Sequence, residues 1–136
     1  MIVRSRHNPL LLVTAVCAAA ALLPSLGCEE RTTQAEYARA VTGGGDPQRG
    51  AATIGKYGCA GCHTIPGIRG ADALVGPPLE HLSQRSYIGG VVRNSPDNLT
   101  RWIQNAPGID PMTAMPNLHL TAGEARDAAA YLYTLK

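Results

Sequence analysis

Two cysteines and a histidine lie close together in the stretch YGCAGCHTIPG, residues 57–67. Cys59 and Cys62 are three positions apart and His63 follows directly, so one helical turn presents the three side chains on one side. Thiol and imidazole groups in such a pattern hold zinc, exchange disulfides or carry a covalently attached group. Three chemistries therefore compete for this cluster.

Zinc binding and thiol exchange are both poorly supported. A closed zinc site needs two further ligands, and apart from the N-terminal segment the chain offers only His81 and His119, at no recognisable spacing. A thioredoxin-like CxxC follows a strand of a β-α-β unit, whereas this pair stands at the end of a predicted helix. Neither reading accounts for the cluster well.

Covalent haem attachment explains more of the chain. CxxCH supplies two thiols for thioethers with the haem vinyl groups and a histidine as an axial iron ligand. The rest of the domain has no Phe and one Trp, and small domains with a weak core often recruit a cofactor. A buried porphyrin would supply the apolar core that is missing.

The N-terminus has the layout of a secretory signal. Arg4 and Arg6 precede an apolar run, Leu10–Leu23, that is shorter than the roughly 20 residues needed to span a bilayer. We therefore predict a signal peptide over residues 1–28 and a location on the periplasmic side of the membrane. Cys28 ends an SLGC stretch that resembles a bacterial lipoprotein signal, so a membrane anchor through a lipid on Cys28 and a freely soluble periplasmic protein remain as alternatives.

Removing the signal also changes the charge. The formal net charge of +2 falls to zero when Arg4 and Arg6 are lost, because the signal contains no acidic residue. Nucleic acid is therefore not an expected partner. Residues 29–45, polar and rich in alanine and glycine, are predicted to form a flexible tether, with a short helix from Ala35 to Val41 as the alternative. The folded domain is expected over residues 46–136.

Three helices are predicted in this domain, which makes it all-α. The first runs from Pro47 to Tyr57 with Asp46 as its cap; the second is capped by Ser95 and ended by Pro107; the third begins with a Thr121–Glu124 capping box. On the third, an alanine-rich stripe is expected to face the core: Ala125, Ala128, Ala129, Leu132 and Leu135. Between the helices we expect long loops without strands, and a helical turn near residues 79–84.

Glycines on the first helix have a predicted use as well. Gly50 and Gly55 lower its helix propensity, and we expect them to let another backbone come close.

Five motifs in order resemble those of class I cytochromes c: CAGCH, GPPL at 76–79, NLTRWI at 98–103, PMTAMPNL at 111–118 and AAAYLYTL at 128–135. The resemblance implies the class I cytochrome c fold around one covalent haem c held by Cys59 and Cys62. It implies His63 and Met115 as the axial ligands of the iron, and Pro77 as the acceptor for the histidine ring. It also implies that haem propionates are contacted by side chains including Arg85, Tyr87 and Trp102.

The same resemblance implies an electron carrier and not an enzyme. Its expected partners are redox proteins such as a terminal oxidase, a reductase or a quinol-oxidising complex. A fixed haem subunit of a larger oxidase or reductase complex is the first alternative. A haem-based ligand binder or peroxidase, which needs an open sixth position on the iron, is the second.

Overall fold

The computed structural model describes the backbone of residues 26–136 and the side chains of residues 31–136. The chain divides into two units, Met1–Thr33 and Gln34–Lys136. The predicted haem and iron site residues all fall in the second. Residues 1–25 and the side chain of Cys28 lie outside the described residues, so the signal peptide and the lipid stay predictions.

The described residues are mostly helical, as predicted. The elements are α1 (Leu26–Val41), α2 (Pro47–Lys56), 3-10 turns at Cys59–Gly61 and Leu82–Gln84, strands β1 (Tyr87–Ile88) and β2 (Val92–Arg93), α3 (Pro96–Ile109) and α4 (Ala122–Tyr133). The three predicted helices are present, α1 is an additional one, and β1 and β2 form a small antiparallel sheet that was not expected. No helix within residues 26–136 is long and apolar enough to cross a membrane.

Helix α1 corrects the expectation of a flexible tether over residues 29–45. Residues 29–41 are helical, and within the second unit Ala38 is completely buried. The Gln34 side chain donates a hydrogen bond to the backbone oxygen of Tyr133 at 3.2 Å. Alanine has the highest helix propensity, so this alanine-rich segment forms a helix without large apolar side chains.

Helix α2 begins where the sequence predicted and packs closely on α4. Asp46 accepts hydrogen bonds from the backbone of Gln48 and Arg49. A Cβ at Gly50 would lie 2.0 Å from the backbone oxygen of Asp127, so the two helix backbones are in contact there. The same expectation for Gly55 was wrong, because among the described residues no atom from elsewhere in the chain lies within 4 Å of a Cβ at Gly55.

Helix α3 buries the expected face, breaks two residues before Pro107 and is followed by a short helical turn that contains this proline. Leu99, Trp102 and Ile103 are buried. The helix breaks at Asn105 (φ −156°, ψ 73°) and then continues for a short turn to Ile109. Pro107 does not end it because this proline lies in the first turn after the break, where no helical partner for its missing N–H is needed.

Helix α4 has the predicted Thr121–Glu124 capping box. Of the predicted stripe, four members are buried and Leu135 is half-buried. The buried face is wider than the stripe and also takes in Asp127, Ala130 and Tyr133. One reason is that the chain before α2 covers a second side of the helix: a Cβ at Gly45 would meet the Cβ of Ala130 at 2.9 Å.

Candidate functional site

The cysteine-histidine cluster lies on the 3-10 turn that follows α2. Gly58 precedes this turn with a left-handed φ of 70°, a conformation that glycine adopts without strain. The backbone N–H groups of Cys62 and His63 both donate to the oxygen of Cys59, at 3.2 and 3.0 Å. The Cys59 side chain is half-buried against the core, and Cys62 is exposed.

The His63 ring is held on one side by the GPPL segment. Its Nδ1 lies 2.7 Å from the backbone oxygen of Pro77. Because a carbonyl oxygen only accepts, the proton is assigned to Nδ1, and in the neutral ring Nε2 is then the nitrogen with the lone pair. Gly76 fits directly against the ring, since a Cβ there would lie 2.4 Å from Cε1 of His63.

Backbone pairing brings this segment to the histidine. The N–H of Gly76 donates to the oxygen of Cys62 at 2.7 Å, and that of Leu79 to the oxygen of Thr64 at 2.8 Å. The Thr64 hydroxyl adds a bond to the oxygen of Ala73 at 3.0 Å. Two backbone–backbone hydrogen bonds and one from a threonine hydroxyl therefore fold the loop after His63 back along the cluster.

Two tyrosines tie the cluster's surroundings to α4. The Tyr57 hydroxyl and the Lys56 ammonium both donate to the Glu124 carboxylate, at 2.8 and 2.7 Å. The bond from Lys56 has the largest effect on the pKa of Glu124. Together with the bonds from Thr121 and Tyr57, it lowers this pKa to about 2. The Tyr131 hydroxyl donates to the oxygen of Pro66 at 2.6 Å.

The two methionines of the PMTAMPNL segment differ in burial. Met112 is 90% exposed, whereas Met115 is half-buried and packs against the hydrophobic core. The N–H of Met115 donates to the Thr113 hydroxyl at 3.2 Å. Of the two methionine side chains, that of Met115 is therefore the one in contact with the core.

Asparagines also hold this segment, and sequence reasoning missed them. The Asn117 amide donates to Oδ1 of Asn105 at 3.2 Å, and the N–H of His119 donates to Oδ1 of Asn117 at 2.8 Å. The signal that could have indicated Asn105 is its position two residues before Pro107, where an Asn can cap a new helical turn.

Arg85, one of the residues expected to contact the propionates, bonds to the GPPL loop. Its guanidinium donates to the backbone oxygens of Pro78 and Glu80. The Asn94 amide donates to the backbone oxygens of Leu82 and Arg85, at 2.7 and 2.9 Å. These bonds fix the arginine beside the loop that carries Pro77.

Tyr87 and Trp102 occupy different environments. Tyr87, on β1, is 53% exposed, whereas Trp102 is buried. The β1–β2 hairpin lies over the indole, since a Cβ at Gly89 would meet Cη2 of Trp102 at 2.5 Å. Gly89 has a φ of 57°, so glycine serves both the turn and the close approach.

The donor set fits a covalently attached haem. Cys59 and Cys62 form no disulfide, and the bond from Nδ1 of His63 to Pro77 leaves Nε2 of the neutral ring as the nitrogen that could bind a metal. Burial raises the pKa of the Cys59 thiol, the opposite of the low pKa of redox-exchange cysteines. Among residues 31–136, no group of three or more Cys, His, Asp or Glu side chains is arranged to hold a metal ion.

Comparison with known proteins agrees with this chemistry. The profile of the family described as "Cytochrome c" matches residues 47–136. A stretch of 79 residues, 57% of the chain, is 32% identical to cytochrome c oxidase subunit 2 of Alkalihalophilus pseudofirmus, and spans 22% of that protein. No solved structure matches the chain. The chain therefore belongs to the cytochrome c family, whose domain binds haem c covalently and serves haem-based electron transfer.

Proposed function

We propose that this protein carries single electrons through one haem, attached by Cys59 and Cys62 and ligated by His63 and Met115, in a respiratory chain on the periplasmic side of the membrane. The observation that carries the proposal is the 2.7 Å contact between Nδ1 of His63 and the oxygen of Pro77. When bound, the haem supplies an iron that alternates between its ferrous and ferric states. The polypeptide holds the haem, supplies the iron ligands and offsets the charge of the propionates.

The His63 ring is held in an orientation that suits iron ligation. The Pro77 carbonyl holds the Nδ1–H tautomer and thereby leaves Nε2 as the ligating atom. Gly76 also lies against the ring, and the ring fits there because glycine has no Cβ, which would overlap it. A histidine held in this way keeps one orientation in both oxidation states, which limits the rearrangement that accompanies electron transfer.

Met115 is the proposed second ligand. It immediately precedes Pro116, and its partial burial contrasts with the 90% exposure of Met112. A thioether is a soft and weak donor, so it favours ferrous iron and raises the reduction potential relative to a second histidine. We therefore expect a positive potential.

Arg85, Tyr87 and Trp102 are proposed to offset the charge of the two propionates. A buried anion needs donors or a cation nearby, and Arg85 is already held beside the GPPL loop by the carbonyls of Pro78 and Glu80. A guanidinium has five N–H groups, so these two bonds leave others free for a carboxylate.

Absorption spectroscopy of the purified holoprotein tests the ligand assignment. Ferric haem with sulfur ligation gives a weak band near the red end of the visible spectrum, and Met115→Ala should abolish it. Met112→Ala is the matched control and should keep the band. A high-spin spectrum or rapid CO binding in the unaltered reduced protein would instead support a haem-based ligand binder or peroxidase.

The similarity to part of cytochrome c oxidase subunit 2 favours a second candidate function. In this version the domain is a fixed haem subunit of an oxidase or reductase complex and does not exchange between partners. Affinity purification from detergent-solubilised membranes separates the two. Oxidase or reductase subunits at constant stoichiometry would support the fixed subunit, and recovery of the protein alone would support a shuttle.

Intact-mass measurement of the mature protein tests attachment and location together. One added haem mass would support a single covalent haem, and a protein beginning after the signal would support export. Acyl chains on Cys28 would support the lipid anchor, and their absence would leave a freely soluble periplasmic carrier.

A further inference from the structure

We propose that Asn105 is a positioning residue for Met115, acting through Asn117. The inference rests on the proposed function, in which Met115 ligates the haem iron. Its physical basis is the hydrogen bond from Nδ2 of Asn117 to Oδ1 of Asn105, at 3.2 Å, which joins helix α3 to the methionine segment twelve residues further on.

The orientation of both amides is fixed by backbone donors. The N–H of Gly108 lies 3.2 Å from Asn105, and because an N–H only donates, the Asn105 atom facing it is the oxygen. The N–H of His119, 2.8 Å from Asn117, fixes the Asn117 oxygen in the same way. The Asn117 amide nitrogen is therefore the atom directed at Asn105.

Asn105 performs a second task with the same oxygen. It stands where α3 breaks, with φ −156° and ψ 73°, and caps the short turn that ends at Ile109. Gly108 permits this arrangement, since a Cβ there would lie 2.4 Å from Nδ2 of Asn105. One side chain thus sets both the direction in which the chain leaves α3 and the position of the segment that returns past it.

The other bonds of the methionine segment are more local. The N–H of Met112 donates to the Asp110 side chain and that of Met115 to the Thr113 hydroxyl, each two residues away. Among the hydrogen bonds that the structure describes for residues 111–118, the one to Asn105 is the bond that reaches back to the break in α3. Its loss should let the segment move away from the iron more often.

Imidazole binding to the ferric holoprotein measures this motion, because imidazole enters after Met115 has left the iron. Asn105→Ala should raise the binding rate by roughly two- to tenfold, the range expected for one net hydrogen bond. Asn117→Ala should give a similar increase, and it leaves the cap on Gly108 intact. Asn105→Asp retains an oxygen acceptor and should restore a rate close to that of the unaltered protein.

Asn98→Ala is the matched control. Asn98 lies on the same helix, and its amide donates to the oxygen of Arg93, away from the methionine segment. The denaturation midpoint is measured for every variant. Equal imidazole rates in Asn105→Ala, Asn117→Ala and Asn98→Ala would overturn the inference, as would rates that follow global stability alone.

Met115→Ala separates this inference from the proposed function. If Met115→Ala leaves the red band and the imidazole kinetics unchanged, Met115 is not the ligand and the ligand assignment fails. If Met115→Ala abolishes the band but the asparagine variants match Asn98→Ala, the assignment stands and only the role of Asn105 fails. If Asn105→Ala does not fold, Asn117→Ala still decides the question.

Discussion

The histidine and methionine segments of the site are held in different ways. On the histidine side, Gly76 and Leu79 bond through their backbone to Cys62 and Thr64, and the Pro77 carbonyl meets the ring directly. On the methionine side, several of the bonds pass through side chains, and the link to α3 through Asn105 is a single exposed amide pair. We therefore expect the two proposed ligands to differ in mobility: the histidine side should respond as a rigid unit, and the methionine side should open first.

The largest expected effect is that of Gly76→Ala on the histidine side. The added methyl group would overlap the His63 ring, 2.4 Å away at Cε1, so the ring or the loop must move. We expect a loss of about 1–3 kcal/mol in the free energy of unfolding of the holoprotein, the usual cost of overpacking.

Gly55→Ala is the control for this experiment. It lies in α2, where the part of the chain that the structure describes brings no atom from another element within 4 Å of the added methyl group, and it should be neutral or stabilising by up to about 1 kcal/mol. Chemical denaturation followed by circular dichroism measures both variants. Equal stabilities would contradict the close fit of Gly76 to the ring.

Acid should weaken the histidine side through Glu124, which binds the two residues just before the cluster's turn. The pKa of Glu124 is lowered from 4.5 to about 2 in the folded chain, first by Lys56. A group with a lowered folded pKa contributes stability above its unfolded pKa, and this contribution is lost as the pH falls from about 4.5 towards 2.

The variant Glu124→Gln removes that contribution. It should lower the denaturation midpoint at pH 7 and flatten the dependence of stability on pH between about 4.5 and 2. Denaturation curves at several pH values measure this. If stability depends on pH between about 4.5 and 2 as steeply in the variant as in the unaltered protein, Glu124 does not cause the loss of stability in acid.

Thr64→Ala removes a side-chain bond on the histidine side. Its hydroxyl donates to the oxygen of Ala73 at 3.0 Å, and we expect a loss of about 1 kcal/mol in the free energy of unfolding. Because this side is rigid, imidazole binding at the iron should change little. Thr64→Ser retains the hydroxyl and should recover most of the stability.

Thr113→Ala is the corresponding change on the methionine side and should have the smallest effect on stability, about 0.5 kcal/mol. Its hydroxyl accepts from the N–H of Met115 at 3.2 Å, so imidazole binding should nevertheless become faster, and Thr113→Ser should reverse this. A faster rate in Thr64→Ala than in Thr113→Ala would reverse the proposed difference between the two sides.

The sequence predicted the helical frame well because helix ends are marked locally. Asp46, Ser95 and Thr121 cap the helices that follow them, and a cap is recognised within four residues. The contact between His63 and Pro77 was also expected, from the resemblance to cytochromes c, and it is present.

Features set by tertiary contacts were missed. Helix α1 was not anticipated as the main reading, because its buried position in the second unit is an alanine, Ala38, which carries little hydrophobic signal. The β1–β2 hairpin has two residues in each strand, too few for an alternation to be visible. The bond between Asn105 and Asn117 joins residues twelve apart, and no periodic pattern of residue types marks such a pair.

The chain before α2 belongs to the folded domain and moves its N-terminal boundary upstream. Family similarity begins at residue 47, yet Gly45 lies against Ala130 and the Gln34 side chain bonds to Tyr133. A protein trimmed to the family boundary would expose apolar surface on α4 and leave the Tyr133 oxygen to water. The physical boundary of the folding unit therefore lies upstream of the boundary that relatedness defines, and domain fusions should join the chain before residue 34.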